Sequence, residues 1–208
     1  MRIPLPSPWL HTPRIAVREF TAVDFDDLYR LDSDARVMHY LNDGEPLSRA
    51  DVRNALASAI RDYPNYHGLG VWRAARRDGD AFLGWCSLRY AAPRCEVELA
   101  YRLVPEAWGQ GYASELGRAL VHYALVDLGI TRVIGVTHPA NAASQRVLQK
   151  AGLADEGLAP FNGCEVRVFA ADARRARGHV ASASVATGTV LDPPHWRNEP
   201  AAPRGRRY

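Results

Sequence analysis

A strand, a glycine-containing loop and a helix start follow one another in Glu98-Leu-Ala-Tyr-Arg-Leu-Val-Pro-Glu-Ala-Trp-Gly-Gln-Gly-Tyr-Ala113. Leu99 to Val104 is predicted to be a strand, and Pro105 ends it because proline has no N–H for a sheet hydrogen bond. Gly109 and Gly111 allow backbone N–H groups to turn inward where the next helix begins. A loop of this kind at a helix N-terminus suits an anionic phosphate chain.

Two commoner phosphate-binding motifs do not match this loop. An ATP-binding P-loop has Lys followed by Ser or Thr after its glycines, and a dinucleotide site has a Gly-x-Gly-x-x-Gly pattern. The chain has neither pattern here. A Gly-x-Gly pair alone is also compatible with an ordinary strand-to-helix turn, so other motifs must distinguish a turn from a phosphate site.

Patterning elsewhere predicts a chain of mixed α and β structure. Thr21 with Asp24, and Ser48 with Asp51, are typical of helix N-termini. Before the loop we expect a strand, two helices and a hairpin pair of strands, at 14–20, 25–31, 48–60, 70–75 and 81–89. The remaining elements are expected to be a strand, a helix, a strand, a helix and a strand, at 96–103, 112–128, 132–137, 141–151 and 166–171. This order indicates an α+β or mixed α/β sheet covered by helices, and open sheets bind ligands in crevices at strand ends.

The composition favours one domain followed by a tail. The chain has 208 residues, of which 47% are hydrophobic, so it can bury a sizeable core. We predict an N-terminal extension at 1–13, a domain at 14–173 and a disordered tail at 174–208, since the tail is rich in Arg, Pro and Ala and lacks periodicity. The net charge of +3 is modest and the basic residues are not clustered on one helix face, so no nucleic-acid partner is expected.

The cysteines and the hydropathy pattern indicate in which cellular compartment the protein is expected. Cys86, Cys95 and Cys164 are odd in number and match no metal-ligand spacing, which predicts neither a disulfide framework nor a metal site. No apolar run is long enough for a signal peptide or a membrane span. We therefore expect a cytoplasmic protein with reduced thiols and no membrane association.

Five short segments, taken together and in their order along the chain, form a motif pattern that is specific enough to indicate a family. They are Glu98 to Tyr101, Pro105, Trp108 to Glu115, Asn141 to Gly152 and Glu156-Gly157. Together they resemble the Gcn5-related N-acetyltransferases (GNAT), and they are most similar to the Rim-type ribosomal-protein N-terminal acetyltransferases. The resemblance spans residues 14 to 172. It implies a central, mostly antiparallel sheet with one splayed pair of strands and helices on both faces.

The resemblance also implies acetyl-coenzyme A as a co-substrate. The backbone amides that would hold its pyrophosphate belong to the loop and helix start, namely Trp108, Gly109, Gln110, Gly111, Tyr112, Ala113 and Ser114. The strand edge at Leu103 and Val104 would pair with the pantetheine arm. Asn141 and Ser144 would lie against this arm and the thioester, although Asn141 is also a good helix cap by itself. Family members often have Gln or Arg where this chain has Trp108.

Acetyl transfer requires a neutral amine, so a base must accept a proton. Glu98 matches the acidic residue on the family's central strand and is the predicted base, with Glu96 on the same strand face as the fallback. Either carboxylate is also compatible with a solvated strand edge. Many family members protonate the leaving thiolate with a tyrosine where this chain has Leu148. We predict that the Ser144 hydroxyl supplies a hydrogen bond instead, and the alternative is unassisted departure of the thiolate.

The predicted function is transfer of acetyl from acetyl-coenzyme A to a primary amine, either a protein N-terminus or a small molecule. The resemblance implies that residues 38–66 and 158–164 shape the acceptor site, and the acids of the first segment suit a cationic acceptor. The alternative function is a catalytically degenerate module that binds or senses acyl-coenzyme A. The expected assembly is a monomer or a homodimer.

Overall fold

The computed structural model describes residues 6–65, 68–91 and 96–173. In the described residues, eight strands form one open sheet. The strands are β1 (Leu10–His11), β2 (Ile15–Glu19), β3 (Gly70–Arg76), β4 (Phe82–Ala91), β5 (Glu96–Leu103), β6 (Arg132–Thr137), β7 (Ala154–Phe161) and β8 (Cys164–Asp172). The helices are α1 (Phe25–Asp32), α2 (Ala35–Met38), α3 (Arg49–Asp62), α4 (Tyr112–His122) and α5 (Ala142–Lys150). The predicted mixed α/β fold is confirmed, and the predicted tail lies outside the described residues.

The sheet is antiparallel except for one parallel pair at its centre. The strand order is β1-β2-β3-β4-β5-β6-β8-β7, and β5 with β6 is the parallel pair. These two strands are paired only at Val97 with Val133 and at Glu98 with Ile134. Because β5 stays paired with β4 as far as Leu103, it separates from β6 beyond Glu98. The splayed pair of strands that the sequence predicts is therefore present.

Helices lie on both faces of this central region. Successive side chains of a strand point to opposite faces, and the two faces of β5 contact different helices. Arg102 is hydrogen-bonded to Asp32 at the end of α1, whereas Leu99 lies beside Gly117 of α4. A Cβ at Gly117 would be 3.0 Å from the Cβ of Ala151, so this glycine allows α4 and the end of α5 to pack closely.

Local sequence signals account for the helix starts. The Ser48 hydroxyl accepts a hydrogen bond from Asp51 N at 3.2 Å, and Ser48 N donates to the Asp51 carboxylate at 3.3 Å. Thr21 N donates to the Asp24 carboxylate at 2.8 Å, ahead of α1. Reciprocal bonds of this kind satisfy amides that have no partner within the helix.

Three elements were not predicted. β1 and α2 are only two and four residues long. β7 contains Gly157, at φ 89°, and a register shift beside it, so it lacks a regular alternation of buried side chains. β1 lies within the segment predicted as an N-terminal extension, and Trp9 before it packs 4.8 Å from the Trp72 ring. Part of that segment thus belongs to the sheet and its core.

Candidate functional site

The gap between β5 and β6 leaves a free backbone edge on β5. Val104 N donates to Leu83 O at 2.9 Å, and Val104 O accepts from Ala107 N at 2.9 Å. The N–H of Val104 is therefore already paired, and its carbonyl already accepts one hydrogen bond, so a pantetheine contact at Val104 stays a prediction. Since antiparallel pairing alternates along a strand, Tyr101 and Leu103 direct their backbone groups away from β4, toward the gap.

The loop that follows is held by its own side chains. The Trp108 indole donates to Leu103 O at 2.8 Å, and the Gln110 amide donates to Glu106 O at 2.6 Å. Gly109 and Gly111 have φ angles of 73° and 82°, in the left-handed region that glycine adopts without strain. The Trp108 side chain therefore helps to hold the loop in shape. This role could not be inferred from the family pattern, which often has Gln or Arg at this position.

The start of α4 presents amides without a helical acceptor. Glu115 N makes a helical bond to Gly111 O at 3.0 Å, so Tyr112, Ala113 and Ser114 carry the N–H groups that precede the helical bonds. Gly111, at the N-cap position, has no side chain to accept from them. The residues Trp108–Gly111 are exposed, and the positive end of the helix dipole adds to the attraction for an anion.

An ion pair braces this loop and was missed in the sequence. The Glu115 carboxylate accepts hydrogen bonds from Thr12 Oγ1 at 2.6 Å, Arg14 N at 2.9 Å and Arg14 Nε at 2.7 Å. Burial by itself would raise the pKa of Glu115, but these bonds lower it below its usual value. Arg14 also donates to Gln110 O at 3.0 Å and lies 4.4 Å from the centre of the Tyr112 ring. The turn between β1 and β2 thereby fixes the loop and the first turn of α4.

The Asn-x-x-Ser motif lies across the gap from β5. Asn141 Oδ1 accepts from Ser144 N at 3.0 Å, so the structure shows Asn141 as the cap of α5. The Ser144 hydroxyl lies 3.3 Å from the hydroxyl of Tyr101. Burial raises the pKa of Tyr101 to about 12, although the bond to Ser144 opposes this shift. The contact between Tyr101 and Ser144 has no signal in the sequence.

The two candidate bases have different surroundings. Glu98 is half-buried and faces Arg89 across the β4–β5 pair. Burial raises its pKa, and the positive charge of Arg89 opposes the rise. Glu96 instead accepts from Arg132 Nε at 2.7 Å, and Arg132 also binds the carboxylates of Glu156 and Asp172. Burial thus favours the neutral form of Glu98, whereas the Glu96 carboxylate lies in a cluster of ion pairs around Arg132.

Glu98 and Tyr101 point to opposite faces of β5, because they are three residues apart on a strand. Arg102 shares the Glu98 face, where it donates to the Asp32 carboxylate at 2.9 Å. The Trp85 indole also donates to Asp32, at 3.4 Å. One face of β5 thus carries Glu98 and the hydrogen-bonded Arg102. The other face carries Tyr101, whose hydroxyl contacts that of Ser144.

The segment predicted to shape the acceptor site reaches the end of β6. The Tyr40 ring stacks on His138 with their centres 5.3 Å apart, and His39 lies 4.4 Å from Tyr40. Tyr40 thus contacts its sequence neighbour His39 and also His138, which is distant in the sequence. Among the acids of this segment, the Asp51 carboxylate accepts from Ser48 N at the start of α3 and Asp62 accepts from Ser58. Asp43 and Glu45 are exposed.

Comparison with known proteins agrees with this arrangement. Residues 14–154 match the family model of the Acetyltransferase (GNAT) domain. The chain belongs to the GNAT acetyltransferases. As a member of this family it is an acyltransferase, as the sequence predicts, and its mostly antiparallel open sheet with helices matches the GNAT fold.

Two related proteins share this GNAT domain. The FsC-acetyl coenzyme A-N(2)-transacetylase of Aspergillus fumigatus is 32% identical over 162 residues, which are 70% of this chain and 65% of that protein. The match therefore spans less than two thirds of its length. The uncharacterized N-acetyltransferase YoaA of Bacillus subtilis is 30% identical over 154 residues, 73% of this chain and 85% of that protein.

A solved GNAT structure extends the comparison to the fold. RimL, a ribosomal L7/L12 alpha-N-protein acetyltransferase in complex with coenzyme A, superposes with a TM-score of 0.65 at 19% identity, over 77% of this chain and 95% of that one. An identity this low shows a shared fold, so membership of the Rim-type branch stays a prediction.

Two further features concern membranes and metals. Within 6–65, 68–91 and 96–173, no helix is both long and apolar enough to cross a bilayer. In the same residues, His, Cys, Asp and Glu side chains form no group of three that would hold a metal ion. Cys86 and Cys164 are free thiols, the first buried and the second exposed.

Proposed function

We propose that this protein transfers the acetyl group of acetyl-coenzyme A directly to a primary amine. The observation that carries the proposal is the gap between β5 and β6, with a half-buried carboxylate on one face of β5 and a pair of hydroxyls on the other. A thioester placed in the gap would meet the base on one side and a hydrogen-bond donor on the other. The amine would then arrive on the side opposite to the departing sulfur.

The donor is held, in this proposal, by backbone groups. The amides of Gly109 and Gly111, with those at the start of α4, suit the pyrophosphate because these glycines are exposed beside a helix N-terminus whose first N–H groups have no helical acceptor. The edge of β5 at Tyr101 and at the N–H of Leu103 suits the amide groups of the pantetheine arm, whereas Leu103 O already accepts from the Trp108 indole. The acetyl carbonyl would lie at the same edge, where a backbone N–H can stabilise the negative charge that develops on its oxygen.

Glu98 is the proposed base. A carboxylate with a raised pKa is a stronger base than an ordinary carboxylate. Proton transfer to it from the attacking amine is therefore less unfavourable. It stays ionised, and so able to accept, as long as the pH is above its pKa. Glu96 suits this role less well, because its carboxylate is already engaged in an ion pair with Arg132.

Ser144 is the proposed donor to the leaving sulfur. Its hydroxyl lies in the first turn of α5, beside the gap. Leu148, which occupies the position of the family's tyrosine, is 2% exposed and packs against Gly135 of β6. The side chain at that position therefore fills the core, whereas the hydroxyls of Ser144 and Tyr101 lie together between β5 and α5.

The acceptor is proposed to be an amine on a protein N-terminus or on a small molecule. The names of FsC-acetyl coenzyme A-N(2)-transacetylase and of RimL indicate that relatives with this fold use different acceptors. In this chain the acceptor would approach the Glu98 face, between the Asp32–Arg102 pair and the stacked rings of Tyr40 and His138. The exposed Tyr40 and the exposed acids Asp43 and Glu45, which follow it closely in the chain, suit a cationic acceptor.

The test is release of free thiol from acetyl-coenzyme A by the purified protein. The panel consists of N-terminal peptides, aminoglycosides, polyamines and amino acids, each measured against an amine-free background. Thiol release above background with one class, together with a product heavier by one acetyl group, would support the proposal and identify the acceptor. Tight binding of acetyl-coenzyme A without release for any class would favour the binding or sensing module.

A further inference from the structure

We propose that Tyr101 is a positioning residue that orients the Ser144 hydroxyl toward the leaving sulfur. This inference rests on the proposed function, because it assigns a role within that same reaction. Tyr101 donates to Ser144, and Ser144 donates to the sulfur, so the two hydroxyls act in series across the gap. No side chain at the family's tyrosine position is needed.

The position of the pair supports this role. Tyr101 lies on β5 beyond the point where β6 leaves it, and Ser144 lies in the helix that follows β6. The 3.3 Å contact between their oxygen atoms therefore joins the two sides of the gap. Both side chains are only partly buried, so a ligand in the gap can reach the pair.

The direction of the hydrogen bond follows from the chemistry of the two hydroxyls. A phenol is a stronger donor than an aliphatic alcohol, and the alcohol oxygen is the better acceptor. Burial raises the pKa of Tyr101 to about 12, so Tyr101 keeps its proton across the physiological pH range. The backbone N–H of Ser144 is already bonded to Asn141, which fixes the turn that carries the hydroxyl. With Tyr101 as donor, the Ser144 proton is free for a second acceptor.

The reaction balances without a net proton from this pair. The amine nitrogen forms a bond to the acetyl carbon and gives one proton to Glu98. The carbon–sulfur bond breaks, and its electron pair stays on the sulfur as a thiolate. Ser144 donates a hydrogen bond to that thiolate and keeps its proton. Tyr101 strengthens the donation, since a hydroxyl that accepts a hydrogen bond becomes a better donor.

The test compares Tyr101→Phe, Ser144→Ala and the double variant. Phenylalanine keeps the ring and removes the hydroxyl alone. With an accepted amine, we expect Tyr101→Phe to lower kcat about 3- to 10-fold, the range of one neutral hydrogen bond, with an unchanged KM for the amine. In the Ser144→Ala background the same change is expected to have no further effect, because the residue through which Tyr101 acts is absent.

A second measurement needs no turnover. The pKa of the thiol of bound coenzyme A is read from thiolate absorbance in a pH titration, against an ordinary thiol value of about 8.5. We expect it to be lower in the wild-type complex and to rise by about 0.5 to 1 unit in Tyr101→Phe, and likewise in Ser144→Ala. The matched control is Tyr123→Phe, which removes another partly buried tyrosine hydroxyl, one whose pKa is also raised to about 12, at the far end of α4.

The outcomes separate this inference from the proposed function. An unchanged thiol pKa in Tyr101→Phe, or a loss of kcat that persists in full without Ser144, would overturn the role of Tyr101 while leaving the acetyltransferase intact. Absence of thiol release with every amine would count against the proposed function, and the titration of bound coenzyme A would still decide the role of Tyr101. A shift that Tyr123→Phe reproduces would also count against it, because the effect would then be non-specific.

Discussion

The brace formed by Glu115 gives the sharpest test of how the loop is held. Glu115→Gln keeps the size of the side chain and removes its charge, while Thr12 and Arg14 remain as donors. The hydrogen bond from Arg14 Nε, 2.7 Å long, then goes to a neutral acceptor instead of a carboxylate. The NH₂ group of the new glutamine also faces the positive charge of Arg14. A hydrogen bond to a charged group stabilises by about 1.5–3 kcal/mol against about 1 for a neutral one.

Half of the Arg14 side chain is exposed, so solvent screening reduces this difference. We therefore expect the free energy of unfolding to fall by about 1–2 kcal/mol, which corresponds to a Tm lower by about 2–8 °C for a chain of this size. Because the loop and first turn of α4 lose their brace, the Kd for coenzyme A should rise about 3- to 10-fold.

The assay is thermal unfolding at several pH values together with calorimetric titration of coenzyme A. The pKa of Glu115 is lower in the folded than in the unfolded protein, so its contribution is present above the unfolded pKa and is lost as the pH falls through the folded one. The difference between wild type and variant should thus shrink in acid. Glu165→Gln, at an exposed position on β8, is the control. A difference that stayed constant with pH, or an unchanged Kd, would refute the reasoning.

Three further substitutions test the base, the sheet and the core. Glu98→Gln should lower kcat/KM by about 100-fold or more and change the acidic limb of the pH–rate profile, because only protonation of the amine then contributes to it. A profile with the same shape as that of the wild type would argue against this base. Gly84→Ala should cost more than about 3 kcal/mol in urea unfolding, since its Cβ would lie 2.0 Å from Arg102 O; a normal midpoint would contradict this geometry. Leu148→Tyr should destabilise by about 1–3 kcal/mol through overpacking against Gly135, without a faster reaction; a higher kcat would show that a hydroxyl there reaches the sulfur.

Much of the fold was predictable because its signals are local. The strand, loop and helix from Glu98 to Ala113 are marked by a proline that ends a strand and by glycines that adopt left-handed angles. Ser48 with Asp51 marks a helix start within four residues. β7 could not be predicted in this way, because it is a strand only through its pairing with β8 and its own residues include Gly157 and Pro160.

The sequence alone established the GNAT resemblance, the loop at the start of α4 and the candidate residues Glu98 and Ser144, since each depends on residue types at short spacing. Tertiary structure was required for the contacts that give these residues their chemistry. Tyr101 and Ser144 are 43 residues apart, and Thr12 and Glu115 are 103 apart. Nothing local distinguishes such partners from other hydroxyls and carboxylates, because only the packing of β5, α4 and α5 around one gap brings them within hydrogen-bond distance.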